Sequence, residues 1–211
     1  MGTGALMSFL DLEEVRSEHV VSRQPEALLA DAPLPAWIDR NSAVASLTTR
    51  SLDGEAVTEI RKVDGSVSLH DPATGRKLSP ISEEAAKSIA LRAWTGPRTA
   101  VVAARLVDKA VGTEFRGPFP AWQITYGDEA STRIYIDASN GMIGPARSDI
   151  WRLFDVLWGL HIMDWTERDR INSWWLLLFG IGGTVIALSG FVLLANRMPI
   201  VRRRARRGTA A

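Results

Sequence analysis

Hydrophobic and polar positions follow more than one period along this chain. Between residues 43 and 78, short β-prone stretches are separated by the turn pairs Asp53-Gly54 and Asp64-Gly65. Such pairs tolerate the left-handed backbone of tight turns, so this region predicts a meander of antiparallel strands. Three later stretches alternate in the same way and predict further strands, at residues 99–106, 121–126 and 132–137.

A helical period separates the two groups of strands. Ser82 can cap exposed amides, and Glu83 and Glu84 suit the positive end of a helix. One face is apolar at helical spacing, with Ala86, Ile89, Ala90, Ala93 and Trp94. The predicted fold class is therefore α+β, a small antiparallel sheet domain at residues 43–146 with one packed helix.

The carboxyl-terminal part contains an uncharged apolar run at residues 174–195. At about 1.5 Å per residue, a helix of this length crosses the roughly 30 Å of hydrocarbon in a bilayer. Arginines crowd the exit of this predicted transmembrane helix (173–196) and form a basic tail at 197–211: Arg197, Arg202, Arg203, Arg204, Arg206 and Arg207. Positive flanks stay in the cytoplasm, so almost everything upstream is predicted to be extracytoplasmic.

The first 42 residues show no export signal of their own, because a basic segment and a full apolar stretch are both lacking. With the domain outside the cytoplasm, we expect an upstream membrane helix that is absent from this chain, with its last turn surviving at residues 2–7. A disordered terminus is the alternative. A short helix at 11–19 and a polar linker through Pro35 are expected to follow.

Residues 150–165 have the period of an amphipathic helix. The period brings Arg152, Asp155 and Gly159 close together while apolar side chains cover the remainder. The stretch is short for a membrane span, and its aromatic residues favour the headgroup boundary. We expect an interfacial helix and connector at 147–172; the alternative is a helix that packs on membrane helices and carries a site.

Small residues within the apolar run predict a helix-contact face, since they permit close backbone approach in lipid. They are Gly180, Gly183, Ala187, Ser189 and Gly190. This pattern predicts a partner helix, and glycines that face lipid are the alternative.

Composition narrows the classes of function. The 211 residues suit one globular domain plus a membrane segment. Lys+Arg 25 nearly balance Asp+Glu 24, and the basic excess lies in the tail, so no nucleic-acid surface is expected on the domain. The absence of cysteine excludes disulfides, a thiol nucleophile and a cysteine-held metal. No phosphate loop or Ser/His/Asp constellation can be assembled either.

One pattern occurs twice, as VSLHDPATG at 67–75 and RIYIDASNG at 133–141, each a strand that enters an Asp-x-x-Thr/Asn-Gly turn. With the preceding helix and the WQI strand at 122–124, the second copy resembles a PepSY domain. The segment at 151–165 and Ser189-Gly190 are similar to PepSY-associated transmembrane proteins. The resemblance covers roughly residues 82–194.

The resemblance implies a small extracytoplasmic domain held between membrane helices in the bacterial inner membrane. It implies a binding or regulatory protein, more an adaptor than an enzyme, whose exported domain binds or restrains another envelope protein. Its partners would be the bilayer and another membrane helix or envelope protein. The expected contact surface surrounds Trp122, Tyr126 and Tyr135, unless these aromatic residues belong to the core.

His161 supports an alternative function. Of the three histidines in the sequence, it alone lies among apolar residues, with Asp164 three residues later. Neutral imidazole can bind haem iron, and some relatives of this membrane family resemble haem-dependent ferric reductases. The alternative is a haem b electron-transfer subunit with a second ligand from outside this chain, whereas a structural His161 needs no cofactor. His19 and His70 lack metal-site spacing and are expected to be solvated.

Overall fold

The computed structural model describes residues 4, 7–23, 35–37, 43–164, 168 and 174–197. Most of the predicted remnant at 2–7, parts of the predicted linker and connector, Trp165 and the arginines from Arg202 to Arg207 lie outside the described residues. The chain divides into two units, residues 2–157 and residues 158–211 together with Met1. Each unit is described by itself below.

The amino-terminal segment of the first unit packs against the domain. Helix α1 (Leu12–Val15) begins at Asp11, whose side chain accepts a hydrogen bond from the Glu13 N–H. Val15 and Val21 are buried, and Val21 pairs with Trp94 in an isolated antiparallel bridge. Part of the segment that the sequence assigns to a linker therefore contributes to the core.

The predicted meander forms a three-stranded antiparallel sheet in the order of the chain. Its strands are β1 (Val44–Leu52), β2 (Glu55–Lys62) and β3 (Val67–His70). Asp53 and Gly54, which join β1 to β2, have φ values of 55° and 80°. The turn pair thus has the left-handed backbone that two-residue hairpins need.

Helix α2 (Glu83–Ala93) follows as predicted. The Ser82 hydroxyl accepts a hydrogen bond from the Ala85 N–H at 3.2 Å, which satisfies one of the amides at the helix start. Its apolar face is buried, including Ala86, Ile89, Ala90 and Ala93. The helix ends before Gly96-Pro97, because proline cannot continue a helical hydrogen-bond ladder.

A four-stranded antiparallel sheet completes the domain, again in chain order. Its strands are β4 (Val101–Val107), β5 (Ala121–Tyr126), β6 (Arg133–Asp137) and β7 (Ile143–Arg147). Ile124, Ile134 and Ile136 on one face are fully buried in the core that α2 shares with Val57 and Leu69 of the first sheet. The α+β class is confirmed.

The sequence analysis predicts no strand at β7. Pro145 and Gly144 argue against a strand interior, but β7 is an edge strand, where a missing N–H costs no ladder hydrogen bond. It pairs with β6 through Ile134↔Ala146 and Ile136↔Ile143, with an irregularity between these pairs.

The repeated sequence pattern has the same turn geometry in both copies. The Asp71 side chain accepts from the Ala73 N–H at 2.8 Å, and the Asp137 side chain accepts from the Ser139 N–H at 2.7 Å. Gly75 and Gly141 close the turns with φ values of 74° and 70°. The spacing reflects a shared local requirement: an aspartate that binds backbone amides and a glycine with positive φ.

Helix α3 (Asp149–Ile162) begins in the first unit and ends in the second, close to the predicted 150–165. Helix α4 (Trp174–Arg197) has no buried residue within its unit, and by length and composition it could cross a membrane. Among the described residues it is the one helix that meets this test.

Candidate functional site

The four-stranded sheet has a second face, turned away from the core, which we term the outer face. Because the strands are paired in register, the side chains of this face form rows across β4, β5 and β6. One row contains Arg105, Gln123 and Tyr135, the next contains Ala103, Thr125 and Arg133, and a third contains Val107, Ala121 and Asp137. The first two rows are mostly polar, whereas the opposite face of the sheet packs against the core.

Glu114, in the loop between β4 and β5, is the centre of a hydrogen-bond network on the outer face. Its carboxylate accepts from Arg152 Nε at 2.8 Å, from the Tyr135 hydroxyl at 2.9 Å and from an Arg133 amino group at 3.2 Å. Its backbone carbonyl accepts from Arg147 Nε at 3.0 Å. We call Glu114, Arg133, Tyr135 and Arg152 the Glu114 network.

The network keeps Glu114 ionised. Burial alone would raise the pKa of this carboxyl group, but hydrogen bonds from Arg152 and Tyr135 and the charges of Arg152 and Arg133 outweigh burial and lower it. The Glu114 side chain is only 14% exposed, so these partners replace most of its hydration. A carboxylate held in this way binds its neighbours and is poorly suited to accept protons near neutral pH.

Tyr135 is held from several sides. Its hydroxyl oxygen accepts from Gln123 Nε2 at 2.7 Å, and its ring stacks on Phe115 with centroids 4.2 Å apart. Burial, with Glu114 nearby, raises the pKa of Tyr135 to about 12, so the phenol stays protonated. The ring closes a small second core with Val107, Phe115 and Ala121.

Two further contacts hold the start of α3 on the domain. Thr113 Oγ1 donates to the Asp155 carboxylate at 2.8 Å, and the Arg147 guanidinium lies 4.1 Å from the centre of the Trp151 ring. The two charged residues that the helical period brings together, Arg152 and Asp155, thus contact the domain in this part of α3.

Beside the Glu114 network lies an open groove of about 360 Å³ on the outer face. It is lined by Ala103, Arg105, Val111, Gln123, Thr125 and Arg133, and we call it the outer groove. Arg105 is exposed there and makes no hydrogen bond or ion pair with any described residue. Small side chains at Ala103 and Thr125 leave space between the cationic groups of Arg105 and Arg133.

His161 lies in the last turn of α3 with an exposed side chain, its ring centroid 6.2 Å from that of Trp158. Asp164, which the sequence suggests as its partner, is buried, and its backbone N–H donates to the Gly159 carbonyl at 3.1 Å. No group of three or more potential metal ligands occurs among the described histidines and acids. The axial haem role of His161 stays a prediction.

His19 is exposed, as expected, but the expectation of a solvated His70 is wrong. Its ring nitrogens lie 3.1 Å from the Ser68 hydroxyl and 3.0 Å from the Gly75 carbonyl oxygen, and Trp37 packs beside the ring. His70 therefore braces the turn after β3.

The predicted helix-contact residues lie along α4. A Cβ atom placed on Gly180, Gly183 or Gly190 would meet nothing within 4 Å. The hydroxyl of Ser189 donates to the Val185 carbonyl at 2.8 Å, within the helix. Arg197 ends α4, on the side that the sequence predicts to be cytoplasmic. This face has room for a partner helix, which stays a prediction.

The predicted contact surface around the aromatic residues is corrected in part. Tyr126 and Tyr135 are fully buried, and Trp122 packs against the core and donates from Nε1 to the Ile81 carbonyl at 3.0 Å. The aromatic residues at alternate positions of these strands therefore mark the core, which is the alternative that the sequence left open.

No pattern in the sequence predicts the Glu114 network or the outer groove. Their residues come from separate loops, strands and a helix, so no local spacing relates them. The usable signal is the polar alternation in β4, β5 and β6, where Arg105, Gln123 and Arg133 interrupt apolar stretches.

No protein-family model matches the chain, and neither a curated protein nor a solved structure matches it. The resemblance to PepSY domains therefore stays a prediction, and the function must be inferred from the geometry of the outer face and from α4.

Proposed function

We propose that this chain is a membrane-anchored binding module of the bacterial envelope, with a PepSY-like domain that lies outside the cytoplasm and contacts another envelope protein. The observation that carries the proposal is the outer groove, an open surface lined mostly by polar side chains on a sheet whose opposite face packs against the core. A surface of this kind favours recognition of a partner.

The chemistry of the groove favours binding over catalysis. Arginine stays protonated at all ordinary pH values and cannot serve as a general base. Glu114, the carboxylate that binds Arg133 of the groove, is already engaged by three donors, and its pKa is lowered. The arginines and Glu114 therefore present fixed charges, which favour recognition of a polar or charged partner.

Helix α4 supports the membrane part of the proposal. None of its described residues is buried, and its large apolar side chains other than Leu176 are exposed, a surface that is stable in hydrocarbon and unfavourable in water. Arg197 at its end, with the arginines further along the chain, supports a cytoplasmic carboxyl terminus. The domain would then lie on the other side of the inner membrane.

Cysteine labelling in intact spheroplasts tests the topology, because the natural chain has no cysteine. Glu55→Cys, at an exposed site, should react with a membrane-impermeant maleimide. Thr209→Cys should react only after lysis. The opposite pattern would contradict the proposed orientation.

The binding role is tested in the same membranes with a photoreactive residue at Ala103, Glu84 or Thr48, three exposed sites on different elements. We expect a discrete adduct with one envelope protein, identified by mass spectrometry. Correctly oriented protein without an adduct at any site would contradict the binding role. A strong Soret absorption band that is lost in His161→Ala would instead favour the haem electron-transfer alternative.

A further inference from the structure

Resting on the proposed function, we infer that the outer groove receives a glutamate side chain from an extended segment of the partner protein, which pairs with the free edge of β4. The proposal names the chemistry of the partner: an acidic, strand-forming segment. It rests on the position of β4, the arrangement of side chains beside it and the charge that remains unpaired there.

No described strand covers the outer edge of β4. β4 stands at the end of the four-stranded sheet and pairs only with β5 among the described strands. Its side chains are largely exposed, with Val102 at 64% and Leu106 at 50%. An irregularity at Val102 precedes an evenly paired stretch from Ala103 to Val107. The other edge, β7, contains Pro145, which lacks the N–H that strand addition uses.

Strand addition would place an acidic side chain at the groove. A new strand lies about 4.8 Å from its neighbour, and every second side chain points to the same face. The residue opposite Arg105 on the outer face would therefore extend over Ala103 and Thr125, whose small side chains leave the groove open. Val111 provides an apolar wall for the methylene groups of a glutamate.

The charges beside the groove favour a carboxylate. Arg133 and Arg152 share Glu114, and Arg152 also binds Asp149 at 2.5 Å. Arg105 has no such partner in the described part of the chain. A carboxylate from the partner would supply the missing negative charge, whereas a lysine or arginine at the same place would be repelled.

The test uses the full-length protein in detergent and a fluorescent heptapeptide of alternating valine and serine residues with one central glutamate. The comparison peptide carries glutamine at the centre. Fluorescence anisotropy should show that the glutamate peptide binds about fivefold more tightly than the glutamine peptide. This is the gain in affinity that a largely exposed ion pair usually contributes. Arg105→Gln should abolish this preference. Arg98→Gln, which removes an equally exposed and unpartnered arginine, should keep it.

Hydrogen exchange locates the bound peptide. Amide exchange in Ala103–Val107 should slow on binding, while exchange in β1, the edge of the other sheet, should stay unchanged. Free glutarate at the same concentration should not displace the peptide, because it cannot form the strand hydrogen bonds.

Four results would overturn the inference: no binding of either peptide, equal binding of both, a preference that survives in Arg105→Gln, or displacement by glutarate. The last would assign the groove to small carboxylates. The proposed function would survive each of them, since labelling and photo-crosslinking in membranes test it without reference to Arg105.

Discussion

At the scale of single residues, Glu114 shows how one carboxylate can organise a sheet face. It joins a loop, β6 and α3 through side-chain hydrogen bonds to Arg133, Tyr135 and Arg152. Each donor is partly or fully withdrawn from water, so each depends on Glu114 to compensate for lost hydration. No sequence pattern around Glu114 predicts this role.

Glu114→Gln should lower the free energy of unfolding by about 1–3 kcal/mol at pH 7, the usual worth of hydrogen bonds to charged groups. The folded-state pKa of Glu114 lies below its ordinary value of 4.5, so this stabilisation is present above pH 4.5 and is lost as pH falls through the lowered value. Urea unfolding at pH 7 and at pH 3 measures the change.

Glu55→Gln is the matched control, since Glu55 is exposed at the start of β2. Its effect should stay within about 0.5 kcal/mol at both pH values. A Glu114→Gln penalty that is equally large at low pH would show that shape, and not charge, accounts for the loss.

At the scale of secondary-structure elements, turns hold the two sheets in place. Gly141, after β6, lies against Leu52 at the end of β1 and against Ile89 of α2. The Arg50 guanidinium in β1 donates to the Asn140 carbonyl, and the Ser79 hydroxyl donates to the Ser139 carbonyl. The turn between β6 and β7 is therefore a structural junction.

Gly141→Ala and Gly65→Ala should differ in cost. Both glycines have positive φ, at 70° and 83°, so alanine is strained at each by about 1–2 kcal/mol. A Cβ at Gly141 would also approach Leu52 Cδ2 to 2.8 Å, whereas one at Gly65 meets nothing within 4 Å. We expect Gly141→Ala to lose about 1–3 kcal/mol more, as overpacked cores do.

Thermal unfolding of the two variants under identical conditions measures this difference. Equal losses of stability would mean that Leu52 moves aside without cost and that Gly141 serves only the backbone of its turn.

At the scale of the whole molecule, the chain joins a domain with its own core to a helix that has no buried residue within its unit. The core of the first unit combines α1, both sheets and α2, while α4 in the second unit has no buried residue. By length and composition such a helix could cross a bilayer.

Two charges at the centre of α4 should release the protein from membranes. Val185→Asp combined with Ile186→Asp opposes insertion by about 2.5–3.5 kcal/mol for each residue. Alkaline carbonate extraction should move this variant to the soluble fraction, while Val185→Leu combined with Ile186→Leu stays in the pellet. Full retention of the aspartate variant would mean that α4 is not what anchors the chain.

Sequence alone determined the features that depend on local spacing. The Ser82 cap, the apolar face of α2, the alternation in β5 and β6 and the uncharged length of α4 each follow from a period or a preferred residue. Sequence alone did not predict β7, because Pro145 is tolerated in this strand only through its place at the edge of the sheet. The tertiary structure alone decided which residues meet on the outer face: Arg105, Glu114, Arg133 and Arg152 are far apart in the chain, and long-range packing brings them to one surface.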